Sequence, residues 1–88
     1  MRCSIVILNW NGASMLRQFL PSVVQYTQVP DTEIVVADNG STDNSLNVLS
    51  NGFPSVRVIS LDNNYGFAEG YNRALQHVDA QYVVLLNS

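Results

Sequence analysis

Apolar residues fall into four short continuous runs along the chain. The first spans Cys3 to Leu8, and the later runs lie within 33–37, 55–61 and 81–86. Continuous, β-branched apolar runs of this length are typical of strands that are buried on both faces of a parallel sheet. The pattern therefore predicts four strands, separated by connections that are long enough to hold a helix.

The first and third connections carry a helical pattern. In the first, apolar residues recur on one helix face, at Leu16, Phe19, Leu20, Val23 and Val24. Pro21 interrupts this face, and because an interior proline removes a backbone hydrogen bond, we expect a kink or a break into two short helices. The third connection has a similar face between Phe67 and Val78, whereas the second, 43–49, has the weakest pattern.

The alternation of strands and helices predicts an α/β fold. Parallel neighbours need crossover connections, which are almost always right-handed. We therefore expect a single domain over residues 1–88, built as a Rossmann-like parallel sheet of about four strands with flanking helices. In such a sheet the fourth strand lies beside the first as an apolar edge, through which we expect the chain to dimerise or exchange segments.

The charge balance and the cysteine content limit the kinds of partner and the cellular compartment that we expect. Four basic residues stand against seven acidic ones, with no basic stripe to neutralise a nucleic-acid backbone, so nucleic acid is not an expected partner. The single Cys3 has no second cysteine to bond with and indicates a packing residue in a reducing compartment. We expect a cytoplasmic location, and a longer parent protein could act at the inner face of a membrane.

Polar residues follow the end of each predicted strand. They form four stretches rich in Asn, Asp, Gly and Ser, at 9–12, 38–43, 62–66 and 87–88. Ligands of open α/β sheets bind outside the carboxyl ends of the strands. These four stretches therefore form the candidate binding site.

Asp38 ends the second predicted strand and has two interpretations. Its carboxylate can accept hydrogen bonds from a base N–H or from ribose hydroxyls, or it can hold amides of its own turn. Asn39 and Gly40 follow it in a turn that tolerates positive φ. Thr42 or Asp43 would then cap the next helix, and we interpret Asp43 as structural.

The third polar stretch directly precedes the third predicted helix. Backbone amides after Gly66 could face a diphosphate at the positive end of the helix dipole, or Gly66 and Gly70 could serve a tight turn and close packing. Asn72 lies inside the helix, where its amide either bonds into a loop or points to solvent. Arg73 could pair with phosphate or remain an exposed helix residue, and His77 receives no catalytic role.

Several kinds of site find no support in the sequence. With one histidine, one cysteine and no closely spaced pair of carboxylates, neither a zinc site nor a Ser or Cys triad can be assembled. A dinucleotide-binding domain would use an acid at the end of the second strand, but it also needs G-x-G-x-x-G after the first, where only Gly12 stands.

Four segments, taken in order, resemble the family 2 glycosyltransferases and, within them, a rhamnosyltransferase-like branch. They are SIVILNWNG, EIVVADNGSTDNS, NNYGFAEGYNRAL and YVVLLNS, and they cover essentially the whole chain. ADNGSTDNS and NYGFAEGYN are the specific motifs among them. The resemblance implies the N-terminal half of a GT-A fold, a UDP-, dTDP- or GDP-linked sugar donor, Mn²⁺ or Mg²⁺, and inverting transfer to a hydroxyl of a glycan or lipid-linked acceptor.

The resemblance also implies which residues contact the nucleotide-sugar, namely Leu8, Asn9, Trp10, Asp38, Asn64, Gly66 and Asn72. The main chain of the first three would cradle the nucleoside, and Asp38 would hold the base. In this family an acid of a DxD-type metal motif follows the last strand, and this sequence reaches Asn87 and Ser88 where that acid is expected. We therefore expect this chain to bind a nucleotide without holding the metal or transferring sugar.

The non-enzymatic alternative is a truncated product whose only activity is self-association through the last strand.

Overall fold

The computed structural model describes residues 2–86 as alternating strands and helices. The strands are β1 (Cys3–Asn9), β2 (Thr32–Asn39), β3 (Arg57–Leu61) and β4 (Tyr82–Leu86). The helices between them are α1 (Ala13–Tyr26), α2 (Ser45–Gly52) and α3 (Gly66–Leu75). Each predicted strand and each predicted helical connection is therefore present.

The four strands form one parallel sheet in the order β3-β2-β1-β4. This confirms the predicted α/β fold with a parallel sheet and flanking helices. The chain moves outward from β1 through β2 to β3, and α3 then crosses back to place β4 on the other side of β1. The order of the strands thus reverses at the boundary between β1 and β4, which is where open α/β sheets form a ligand crevice.

Two apolar clusters cover the two faces of the central strands. Successive side chains of a strand point to opposite faces, so Ile7 of β1 packs with Leu16 and Leu20 of α1 on one face. Its neighbour Val6 packs with Tyr71 of α3 on the other face. Helices α1 and α2 therefore lie on one side of the sheet and α3 lies on the opposite side.

Helix α1 runs without a break through Pro21, so the expected break into two helices is wrong. Pro21 and Arg17 both lie on the exposed side of the helix, where the carbonyl that loses its partner can be hydrated instead. The buried side chains of Leu16 and Leu20 hold the turns before the proline against the sheet. Tertiary packing therefore outweighs the local preference of the proline.

The edge strands differ from their sequence prediction. Strand β3 begins at Arg57 rather than Ser55, because the Val56 amide donates to the Phe53 carbonyl at 3.1 Å and closes the turn after α2. The continuous apolar run of β4 had predicted a strand that is buried on both faces, and this prediction is wrong. The first four side chains of the strand are 40 to 62% exposed, since neither face is covered by another element of the described chain.

Among the described residues, none of the helices has the length and apolar character needed to cross a membrane.

Candidate functional site

The carboxyl ends of β1, β2 and β3 meet along one edge of the sheet. The register pairs Asn9 with Asp38 across β1 and β2, and Asn39 with Leu61 across β2 and β3. Three polar side chains at these ends, Asn9, Asp38 and Asn39, are at most 2% exposed. Burial of polar groups is costly unless they are hydrogen-bonded, and no buried side-chain N or O atom of residues 2–86 lacks a partner.

Asp38 is the centre of the hydrogen bonds between β1 and the loop after β2. Its Oδ1 accepts from Asn9 Nδ2 at 2.9 Å and from Ser41 Oγ at 2.6 Å, and its Oδ2 accepts from the Ser41 amide at 3.0 Å. The Asp38 carboxylate thus holds both its own turn and the neighbouring strand. Of the two interpretations of Asp38, the turn role is present in the structure.

Asn11 joins the loop after β1 to the loop after β2. Its backbone amide donates to Ser41 Oγ at 2.9 Å, and its Oδ1 accepts from the amides of Thr42 at 2.7 Å and Asp43 at 3.1 Å. Asn11 adopts φ of 49°, a conformation that Asn tolerates better than most residues. The side chain and amide of Asn11 therefore tie the two loops together.

Asn39 joins the end of β2 to the loop before α3. Its Nδ2 donates to Asn64 Oδ1 at 3.1 Å and to the Gly66 carbonyl at 3.0 Å, while its Oδ1 accepts from the Tyr65 amide at 3.1 Å. A carboxamide offers both donors and acceptors, so one buried side chain fixes the path of the chain into α3. Asn64 continues this network by accepting from the Gly66 amide at 2.8 Å.

Asp43 connects the starts of two helices. Its Oδ2 accepts from the Ala13 amide at 3.1 Å, at the first residue of α1, and its Oδ1 accepts from the Ser45 amide at 2.9 Å, at the first residue of α2. Asn44, rather than Thr42 or Asp43, occupies the N-cap position of α2. The structural interpretation of Asp43 nevertheless agrees with these contacts, since a carboxylate there satisfies amides and complements the dipoles of both helices.

The hydrogen bond from Ser45 Oγ is the main reason why the pKa of Asp43 lies below its ordinary value of 3.8. Burial acts in the opposite direction, and the amides of Ser45 and Ala13 lower the pKa further. Each of these donors favours the ionised carboxylate. The folded state therefore holds Asp43 in its charged form more strongly than an unfolded chain does.

Tyr71 reaches from α3 to the carboxyl ends of β1 and β4. Its hydroxyl accepts from the Leu8 amide at 3.3 Å and donates to the Leu86 carbonyl at 3.2 Å. The ring is 4% exposed and packs edge-to-face against Phe67, with the ring centroids 5.1 Å apart. One hydroxyl thus contacts the backbone of both strands where the sheet order reverses.

Arg73 makes an ion pair within α3 and a cation-π contact with the loop before it. Its Nε lies 2.8 Å from Glu69 Oε2, and its guanidinium lies 3.8 Å from the centre of the Tyr65 ring. The Tyr65 hydroxyl donates to Asp62, which raises the pKa of Tyr65 above its ordinary value of 10.0. These contacts make Arg73 an exposed structural residue, as one of its two interpretations held.

Six of the seven residues predicted to contact the donor lie in two connected groups, and Asn72 lies apart from them. Leu8, Asn9, Trp10 and Asp38 gather at the ends of β1 and β2, and the side chain of Trp10 is 53% exposed. Asn64 and Gly66 lie beside them through the bonds of Asn39. Asn72 is exposed on α3 and makes no side-chain hydrogen bond to any of the other residues of 2–86. The polar stretch 87–88 lies outside the described residues.

Sequence reasoning passed over the side chains that tie the three loops together. The sequence did not identify four of them as site residues, namely Asn11, Asn39, Ser41 and Tyr71. The first three lie inside the polar stretches that follow the strands. A usable signal was the Asn-Gly pair at Asn11 and Asn39, which placed an amide next to a turn glycine at two strand ends. Tyr71 gave no such signal, because its position on the apolar face of α3 is typical of a core residue.

No cluster of three His, Cys, Asp or Glu side chains that could hold a metal ion exists within residues 2–86. The carboxylates of Asp38 and Asp43, which lie in the site, each accept hydrogen bonds from other groups of the chain. The described residues therefore do not fit a divalent metal on their own.

Residues 4–88 match Glycosyl transferase family 2, so the chain belongs to this family of enzymes. Among its relatives is the N-acetylglucosaminyl-diphospho-decaprenol L-rhamnosyltransferase of Mycobacterium tuberculosis, 30% identical over 71 residues, which are 81% of this chain and 23% of that protein. The chain spans 9 to 23% of the length of the curated relatives that it matches. The family predicted from the sequence motifs is confirmed.

Solved structures show the same fold. The S. aureus TarS 1-349 structure in complex with UDP superposes with a TM-score of 0.85 at 25% identity, over 100% of this chain and 27% of that one. The mannosyltransferase PcManGT from Pyrobaculum calidifontis, in complex with GDP-Man and Mn²⁺, has a TM-score of 0.81 at 23% identity, over 98% and 27%. The described sheet is therefore the N-terminal part of a GT-A fold.

The closeness of the loops after β2 and β3 predicts that Gly40→Ala is destabilising. Gly40 has φ of 75°, and a Cβ there would lie 2.5 Å from the backbone carbon of Asn63. We expect the free energy of unfolding to fall by at least about 2 kcal/mol, from the left-handed backbone and the clash together. Urea denaturation measures this free energy for the wild type and the variant. Gly52→Ala is the matched control, since no atom lies within 4 Å of its added Cβ. Equal stabilities of the two variants would contradict the contact.

The contacts of Asp43 predict a stability that depends on pH. Because its folded pKa lies below 3.8, the charged carboxylate stabilises the fold above the unfolded pKa, and this contribution is lost as pH falls through the folded pKa. We expect the wild type to be more stable than Asp43→Asn at neutral pH and the difference to shrink below about pH 4. Urea denaturation of both proteins between about pH 2.5 and 7 measures this difference in the free energy of unfolding. Asp79→Asn removes an exposed carboxylate and should show no comparable difference at neutral pH. A difference between wild type and Asp43→Asn that grows on acidification would refute the assignment.

Proposed function

We propose that this chain is the nucleotide-sugar-binding part of an inverting glycosyltransferase that transfers sugar from a UDP-, dTDP- or GDP-linked donor to an acceptor hydroxyl. The observation that carries the proposal is the Asn9–Asp38 contact of 2.9 Å at the ends of the two central strands, in a chain of family 2. It supports a donor site at the carboxyl edge of the sheet, beside the exposed Trp10.

Asp38 retains capacity to accept one more hydrogen bond. A carboxylate offers about four acceptor positions, and the chain fills three of them, two on Oδ1 and one on Oδ2. A base N–H would take the remaining position on Oδ2. Because the side chain is 1% exposed, the Ser41 side of the loop has to move aside when the base binds.

The start of α3 is the proposed place for the diphosphate. The chain enters this helix through Asn39 and Asn64, whose side chains bond to the Tyr65 and Gly66 amides and to the Gly66 carbonyl. The following amides, at the first turn of α3, form the positive end of the helix dipole. Asn72 would contact the donor from the exposed surface of the same helix.

The metal and the acceptor are assigned to parts of a longer protein. UDP and GDP-Man with Mn²⁺ are bound by the TarS and PcManGT structures, and we propose a divalent metal and a glycan or lipid-linked acceptor for the parent of this chain. When bound, the metal would neutralise charge on the leaving diphosphate. We place the reaction in the cytoplasm, at or near the inner face of the membrane.

The test is a calorimetric titration of this chain with UDP, dTDP and GDP, each with and without Mn²⁺. We expect one nucleotide to bind and Asp38→Asn to bind it at least about ten-fold more weakly, because the substitution removes the charge that accepts the base N–H. Asp79→Asn is the matched control, since its carboxylate is exposed in the connection that leads into the start of β4, whereas the site lies at the carboxyl ends of the strands. Circular dichroism verifies that each variant is folded.

Absence of binding to any nucleotide by the folded wild type would overturn donor binding by this chain. Equal binding by Asp38→Asn and the wild type would leave donor binding in place and overturn the role of Asp38.

We propose self-association as a second candidate activity, which the exposure of β4 favours. Val83, Val84 and Leu85 are 40 to 50% exposed on a strand whose outer edge has no partner among the described strands. An apolar edge of this kind is a template for pairing with another chain. We propose that two copies pair through β4.

Light scattering coupled to gel filtration tests the pairing. We expect the wild type to elute with twice its monomer mass at high concentration and Val84→Lys to elute as a monomer, because a charge on an edge strand opposes pairing. Val58→Lys places the same charge on β3, the opposite edge, where the valine is 38% exposed. This control should remain a dimer. A monomeric wild type, or loss of the dimer only in Val58→Lys, would exclude pairing through β4.

A further inference from the structure

A groove of about 340 Å³ lies at the surface between Arg17 of α1 and the residues of α2 from 44 to 53. We call it the α1–α2 groove. Both helices begin at the carboxyl edge of the sheet, so the groove starts beside the loop after β2 and runs toward the amino edge. Its volume falls in the range of small-ligand pockets, and none of its residues belongs to the candidate donor site.

Four polar side chains of the α1–α2 groove have no partner within residues 2–86. The Arg17 guanidinium makes neither an ion pair nor a hydrogen bond there, whereas an arginine of β3 and one of α3 each pair with a glutamate. The carboxamides of Asn44, Asn47 and Asn51 make no side-chain hydrogen bond within the same residues. All four side chains are exposed and therefore available to a ligand from solution.

The three carboxamides form a row on α2. Positions 44, 47 and 51 are three and four residues apart, which places them on one face of the helix over about 10 Å. Helix stability does not explain the row, because asparagine is a weak helix former and Asn44, at the N-cap, makes no side-chain capping bond. Each carboxamide can donate and accept hydrogen bonds, as a ligand with many hydroxyls requires.

An apolar surface lies beside this row. Phe53 is half-buried against the core cluster of α1 and α2, and the rest of its side chain lines the groove. Gly52 leaves the neighbouring space open, since no atom lies within 4 Å of a Cβ built there. A sugar ring fits this combination, because its C–H groups can pack on an aromatic ring while its hydroxyls bond to amides.

The α1–α2 groove is positively charged in a chain of net charge -3. Among the described residues that line it, Arg17 alone carries a charge. Asp43 precedes Asn44 in the sequence, but its two oxygens accept from the amides of Ala13 and Ser45. A guanidinium pairs with a carboxylate or a phosphate through two parallel hydrogen bonds. The charge of the groove therefore favours an anionic ligand.

We infer that the α1–α2 groove binds a segment of an acidic glycan. A carboxylate or phosphate of the glycan pairs with Arg17, its hydroxyls bond to the row of carboxamides, and a sugar ring packs on Phe53. The choice of a glycan rests on the proposed function, in which the acceptor carries sugar. A segment bound here lies outside the donor site, so the groove holds a part of the glycan that is distant from the hydroxyl receiving the new sugar.

The test is a titration of this chain, without nucleotide, followed by amide NMR spectra. The probes are a tetrasaccharide containing glucuronic acid, a tetrasaccharide carrying a phosphate ester, a neutral tetrasaccharide of glucose, and the peptide tetraglutamate. We expect at least one acidic tetrasaccharide to bind with a dissociation constant of about 0.1 to 1 mM, to shift the amides of 44–53 and to leave that of Val35 unchanged. The neutral tetrasaccharide should bind at least about five-fold more weakly, because it gives Arg17 no partner.

Two variants with matched controls locate the site. Gly52→Leu fills the open space and should weaken binding at least about ten-fold, whereas Ser50→Leu adds the same side chain at an exposed position of α2 outside the groove. Arg17→Gln should lower the affinity for the acidic tetrasaccharide to that for the neutral one. Arg2→Gln removes the same charge at the amino edge of the sheet and should bind like the wild type. Circular dichroism verifies that each variant is folded.

Absence of binding by both acidic tetrasaccharides, or equal binding by Gly52→Leu and the wild type, would overturn the site. Tetraglutamate that binds as tightly as the acidic tetrasaccharides would overturn the glycan and assign the groove to acidic peptides. Equal affinity for the neutral tetrasaccharide would overturn the pairing with Arg17. Nucleotide binding is measured separately, so a chain that binds nucleotide but no acidic tetrasaccharide loses only the glycan site, and a chain with the opposite result loses only the donor site.

Discussion

Three buried polar side chains at the ends of two adjacent strands can exist only if their hydrogen bonds are made within the protein. Asn9, Asp38 and Asn39 meet this requirement through loops that come from three different strand ends. Since each unsatisfied group would cost about 1–3 kcal/mol, the loops are held in one arrangement by the same bonds that make the burial tolerable. The shape of the candidate site is therefore a consequence of how these side chains are satisfied.

Asparagine suits this task better than aspartate at two of the three positions. Asn39 donates to one loop and accepts from the same loop, which a carboxylate cannot do because it has no donor when ionised. Asn9 donates to the carboxylate of Asp38, where a second acid would add a like charge. One acid among the three buried side chains leaves a single negative charge within this group, where it accepts hydrogen bonds from Asn9 and Ser41. The same residues thus serve the fold and the proposed binding of a nucleotide.

The sequence predicted what depends on local pattern and missed what depends on contact between distant segments. The four strands and their parallel order followed from apolar runs such as 3–8 and from connections of helical length. The unbroken path of α1 through Pro21 did not, because buried neighbours on the other helix face decide it. In the site, the strand ends identified Asp38 and the Asn-Gly pair pointed to Asn39, whereas the partners of Asn39 and Tyr71, 25 and 15 residues away, could be recognised only in the three-dimensional structure. Those partners are chosen by the three-dimensional fold, so a pattern of residue types contains too little information to name them.

The ends of β1 are held differently at its two boundaries. Toward β2 the strand ends are sealed by side chains that bond to one another, and the charged Asp43 fixes the helix starts behind them. Toward β4 the described pairing extends to Ile7 and Leu86, the side chains of 82–85 are exposed, and the hydroxyl of Tyr71 contacts the backbone of Leu8 and Leu86. The polar network of the first boundary holds the ends of β1 and β2 at the edge of the sheet where we propose that a nucleoside binds, and Ser41 is the part of this network that has to move for a base to reach Asp38.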